Sequence, residues 1–158
     1  MDNINGIFDI CSPEDFFYSI NNVWENYKRS KQKSVEPLLY VIMGLNHLRE
    51  WIAPGYNPEK TSSNEQETFF QLIFKNASFK VINSLCNKTK HFRRMKENTS
   101  SEHNVLFGEW LDIDAVRNWD KGPASDYFVD GINIIEMIDE VLGFYRTEWL
   151  EKKRVAFK

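Results

Sequence analysis

Cysteine is nearly missing from this chain: Cys11 and Cys86 stand far apart, in no Cys-x-x-Cys arrangement. That excludes a disulfide framework or a zinc knuckle and fits reduced thiols in a cytoplasmic protein. Long apolar runs are missing too. The longest, Leu38 to Leu45, has eight residues, against the roughly 20 that span a bilayer, so no membrane segment is expected. The N-terminus carries Asp2 and Asp9 where an export signal would carry positive charge. Glycine is sparse and scattered, and no Gly-x-Gly, Gly-Lys-Thr/Ser or Gly-x-Ser-x-Gly signature occurs, which removes phosphate loops and the serine-hydrolase elbow. The three histidines, His47, His91 and His103, lie on separate segments, so the paired spacing of a zinc site is absent and neither a metal nor a cofactor is expected.

What the chain does have is aromatic bulk. Five Trp, twelve Phe and six Tyr in 158 residues can fill the core of one domain, 1–158, without a staple. The net charge of −3 is unevenly spread: Lys88, Lys90, Arg93, Arg94 and Lys96 face only Glu97 between positions 88 and 97. From Glu109 to Glu151, eleven acidic residues stand against Arg117, Lys121 and Arg146. Either the two regions neutralise each other within the fold, or the basic patch serves an anionic partner.

Periodicity predicts an all-α bundle of four to five helices. Ser12 as N-cap, Pro13 and Asp15 open a first helix whose stripe is Phe16, Phe17, Ile20, Val23, Trp24 and Tyr27. A second, central helix runs from near Ser34 to Ala53, where Pro54 stops it, and Gly44 marks a close crossing. Asn64 and Glu67 have capping-box spacing ahead of Phe69, Phe70, Ile73 and Phe74. The apolar period then continues through Leu85, so 65–97 reads equally as one long helix or as two with a break near Asn76. Segment 98–130 is irregular and predicts a small hairpin or short helix. A closing helix carries Ile134, Ile138, Val141, Leu142, Tyr145 and Trp149 and ends near Lys152.

One constellation has the spacing that chemistry requires. Asn87 and His91, four residues apart, share a helix face with Lys80, Asn83, Lys90 and Arg94, opposite an apolar face centred on Leu85. An imidazole among cations can move a proton while the cations stabilise a negatively charged phosphorane, the chemistry of metal-free RNA cleavage. The same strip also reads as an ordinary solvated helix face. His47, Arg49, Glu50 and Trp51 interrupt a mostly apolar helix; either His47 or Glu50 faces His91 across a cleft, or His47 is a satisfied core histidine and Arg49–Glu50 mark the helix emerging into water.

At Cys86-Asn87-Lys88-Thr89-Lys90-His91 the chain resembles the HEPN superfamily, whose motif is Arg, a polar residue such as Asn, about three variable residues, then His on a late helix. Asn87 and His91 match; Cys86 stands where the motif has Arg. The resemblance implies a small helical bundle, a homodimer, and a metal-independent endoribonuclease or RNA-binding protein of a bacterial defence or toxin–antitoxin type. It implies His91 as acid or base and Asn87 as orienting group, with Lys88, Lys90, Arg93 and Arg94 meeting RNA. Lysines replace the charge of the motif's guanidinium but not its two-pronged geometry. The other readings of the same residues are a non-catalytic protein-interaction or dimerisation module, and small-molecule binding between helices near Trp51.

Overall fold

A computed structural model of the chain describes residues 6–90, 127–129 and 131–156, with the side chain of Lys90 left out. These residues form an all-α bundle of five helices with a short β-hairpin before the last: α1 (Pro13–Arg29), α2 (Val35–Ile52), α3 (Glu65–Ile73), α4 (Ala77–Lys90), β1 (Phe128–Val129), β2 (Ile132–Asn133) and α5 (Ile134–Tyr145). The last helix continues through a π-helical turn, Arg146–Glu151, into a final α-helical turn, Lys152–Ala156.

Local chemistry sets most of the boundaries. Ser12 Oγ accepts from the Asp15 amide at 3.0 Å, satisfying one orphan donor of α1, and Asp15 returns a carboxylate oxygen to the amide of Cys11, the residue before the cap, at 3.2 Å. At its other end, Lys33 folds back under the helix, and its ammonium donates to the carbonyls of Tyr27, Lys28 and Ser30 at 2.8, 2.9 and 2.7 Å. The Tyr27 carbonyl also takes the Ser30 amide at 3.2 Å, while those of Lys28 and Ser30 lie past the last helical amides. Asn64 Oδ1 accepts from the Glu67 amide at 2.8 Å, as its spacing predicts, but the Glu67 carboxylate takes the Ser63 amide and hydroxyl instead of the Asn64 amide.

The break between α3 and α4 falls at Asn76. Its side-chain oxygen accepts from the Phe79 amide at 2.8 Å, and its side-chain nitrogen donates to Glu140 at 2.9 Å. Capping on one side and a tie to α5 on the other make two helices of an uninterrupted apolar period. The hairpin pairs Phe128 with Asn133 and Val129 with Ile132, with Gly131 at φ +75° supplying the left-handed turn residue. Asn133 then caps α5 through the Ile135 amide.

Helix α2 is the axis of the bundle, packing on α1, α3, α4 and α5. Against α1 the approach is close: a Cβ at Gly44 would lie 2.7 Å from Ile20 Cγ1, so the expected crossing is real and only glycine fits there. Trp24, Ile20, Val41, Leu45, Phe79, Ile82, Ile138 and Tyr145 have no exposed surface. At about 1.5–3 kcal/mol for each large apolar side chain, such residues dominate the driving force. The Tyr145 hydroxyl donates to the Leu45 carbonyl at 2.6 Å, pinning α5 to α2, and burial raises its pKa well above the usual phenol value. Among the described residues, no helix is long and apolar enough to cross a membrane.

Candidate functional site on the α2–α4 face

Helix α4 buries Phe79, Ile82, Leu85 and Cys86 against the bundle and leaves Asn87 exposed. The first motif position is therefore interior: Cys86 has no exposed surface, and its sulfur lies 3.9 Å from His47 Nε2 on α2. The other ring nitrogen, Nδ1, is 3.0 Å from Glu50 Oε2, one turn further along α2. With Nδ1–H donating to Glu50, Nε2 is left as an acceptor toward the thiol. The imidazole side chain is 28% exposed and the carboxylate 54%, so this pair sits at the surface while the sulfur lies beneath it.

A chain of amides runs beside this group. Asn46, buried on α2, accepts from Asn83 Nδ2 at 2.7 Å, and Asn83 in turn accepts from Asn87 Nδ2 at 3.4 Å. Asn83, read from the sequence as part of the exposed strip, is thus half-buried and engaged with α2. Asn87 itself is exposed and held by this one long contact, so it keeps more freedom than Asn83.

Lys88 is half-buried, with its ammonium nitrogen out of contact with water. Lys80 is exposed, and Lys90 ends α4. His91, Arg93 and Arg94 lie outside the described residues. The structure therefore brings His47, Glu50 and Cys86 together, while Asn87, next to Cys86 in the chain, joins Asn83 and through it Asn46. Spacing alone supports the His47–Glu50 pair. The approach of α2 to α4 is a long-range contact, and only the presence of Asn46 in an apolar helix hints at a polar partner across from it. Among the described residues, no group of three or more His, Cys, Asp or Glu side chains is placed to hold a metal ion.

On the outer side of α2, Tyr40 and Met43 are exposed and share the stripe of His47 and Glu50. The Tyr40 hydroxyl meets Ser19 Oγ of α1 at 2.8 Å. The chain matches no family model, no curated protein and no solved structure.

Proposed function

We propose that this chain is an RNA-directed, HEPN-like domain that cleaves RNA without a metal on its α2–α4 face. The observation that carries this reading is the placement of His47, oriented by Glu50, against Cys86, the residue before Asn87 in the resembling motif. Metal-free cleavage requires one group to take the 2′-hydroxyl proton as its oxygen attacks phosphorus, and another to give a proton to the departing 5′-oxygen. His91, four residues after Asn87, takes one of these roles, and His47 takes the other by exchanging its Nε2 contact with the Cys86 thiol for the RNA. Asn87 orients the phosphate, and Lys90, Arg93 and Arg94 supply positive charge.

A second reading, a non-catalytic homodimerisation or protein-interaction module, is favoured by Tyr40 and Met43, which leave apolar surface open beside the site. The two are separated by incubating the protein with labelled RNA in excess chelator. Cleavage should fall roughly 100- to 10,000-fold in His47→Ala and in His91→Ala while the helical circular dichroism is kept. Binding without cleavage, weakened by salt and by charge reversal at Lys90 and Arg94, would make the protein an RNA binder only. If neither occurs and Met43→Asp dissolves a dimer in sedimentation, the second reading replaces the first.

A further inference from the structure

A groove of about 920 Å³ opens between the loop 62–64 with the start of α3 on one side and the π turn with the last helical turn on the other. Its size falls at the upper end of the roughly 300–1,000 Å³ common for binding pockets. None of its lining residues belongs to the α2–α4 face. The apolar floor is Phe69, Leu72 and Trp149, and Val155 stands on the lip at 74% exposure.

The charge around this apolar strip is one-sided. Both lysines of the rim are already neutralised, Lys152 by Glu148 and Lys153 by Glu14 of α1. Glu67, just behind the rim, is taken by Ser63. Glu65 on the α3 wall and Glu151 on the opposite wall are exposed and have no ion pair or hydrogen bond among the described residues. The groove therefore presents apolar surface between two carboxylates that have no ion pair among the described residues. Its wall is also the six-residue π turn, a rare geometry that recurs at functional positions because an i→i+5 turn is retained against the more stable α form. Here it turns consecutive residues, Trp149 and Leu150, both inward.

We propose that this groove binds a short amphipathic helical segment of a partner protein, its apolar side chains on Phe69, Leu72 and Trp149 and its Lys or Arg side chains on Glu65 and Glu151. The walls are the loop 62–64 and helical turns and offer no sheet edge, so an extended peptide would gain no main-chain ladder, whereas a helix docks through side chains alone. The free charge selects a basic segment over an acidic one.

The full chain is titrated into a fluorescently labelled synthetic peptide of leucine and lysine at helical spacing, with a leucine and glutamate peptide of the same pattern as its control. The lysine peptide should bind and the glutamate peptide should not. Binding should weaken about tenfold or more in the double variant Glu65→Lys, Glu151→Lys and stay unchanged in Glu136→Lys, on exposed surface outside the groove. Methyl resonances of Leu72 and Val155 should shift on titration while those of Ile42 stay in place. No binding of the lysine peptide, equal loss in Glu136→Lys, or shifts that miss Leu72 and Val155 would each overturn the proposal. Because these variants lie off the α2–α4 face, RNA cleavage by them should match that of the parent chain whichever way the peptide result falls.

Discussion

Lys33 and Arg49 are each 7% exposed, yet the bundle holds these two buried cations in opposite ways. Lys33 gives all three of its donors to carbonyls at the end of α1 and rests 5.1 Å from the Tyr27 ring. Arg49 lies among three aromatic rings, 4.1 Å from Phe74, 5.0 Å from Phe70 and 5.2 Å from Phe79, while its Nε and Nη1 have no hydrogen-bond partner among the described residues. Burial pushes the Arg49 pKa down, partly opposed by Tyr145 and by the charge of Glu50. A buried charge whose donors are all used finishes a structural element. One held mainly by ring faces, with two nitrogens unpartnered among the described residues, keeps part of its desolvation cost and fills space between α2, α3 and α4.

The largest effect is expected from adding a third cation where neither solution exists. Cys86→Arg restores the motif's arginine but starts it from a position with no exposed surface, beneath His47. Overpacking and an unpaired buried charge together should lower the urea unfolding free energy by roughly 3 kcal/mol or more. Stability within 1 kcal/mol of the parent, on the order of one surface substitution, would show that the guanidinium escapes to the α2–α4 surface and that position 86 is open to it.

Next comes removal of the satisfied cation. Lys33→Met keeps the aliphatic stem and deletes three charge-assisted hydrogen bonds to carbonyls at the end of α1, one of them buried. The expected loss is roughly 1.5–3 kcal/mol, read as a lower urea midpoint at unchanged slope. Arg49→Met should differ from the parent by only about 1 kcal/mol, because the lost cation–π attraction is offset by the relief of two nitrogens without a partner among the described residues. Equal losses in the two variants would erase the distinction between them.

Neither behaviour is visible where these residues stand in the sequence. Lys33 sits in the polar run 29–34, which reads as a solvated connection, although its three acceptors are only three to six residues away. Composition suggests water; geometry supplies carbonyls. Arg49 reads as the point where α2 emerges, yet α3 and α4 close over it. What was legible is what neighbours in the chain decide: the Ser12 and Asn64 caps, the stop before Pro54, the close crossing at Gly44 and the stripe of α5. The Asn76 break was open because the apolar period runs through it, and only the cap on Phe79 and the bond to Glu140 resolve it. The π turn leaves no mark in a stripe that an α-helix explains as well. At the candidate site, Asn87 on an outer face was legible. The contact of Cys86 with His47 and the bond from Asn83 to Asn46 depend on how α2 and α4 meet, which no local pattern encodes.

The smallest effect tests the same rule with the opposite charge at the surface. Hydrogen bonds from the Ser63 amide at 2.6 Å and the Ser63 hydroxyl at 2.7 Å hold the Glu67 carboxyl below its ordinary pKa of 4.5. Because the folded value is the lower one, the unfolded chain binds the proton first as the solution is acidified. Glu67 therefore contributes stability above its unfolded pKa, and this contribution is lost as pH falls through the folded value. Glu67→Gln cannot titrate, so the parent should lose slightly more stability than the variant between pH 7 and pH 3, with the two curves converging at the acid end. A variant curve that stays parallel to the parent's across the acid range would mean that Ser63 does not distinguish the carboxylate from its protonated form. Satisfaction by hydrogen bonds would then count for buried cations such as Lys33 and not for this exposed anion.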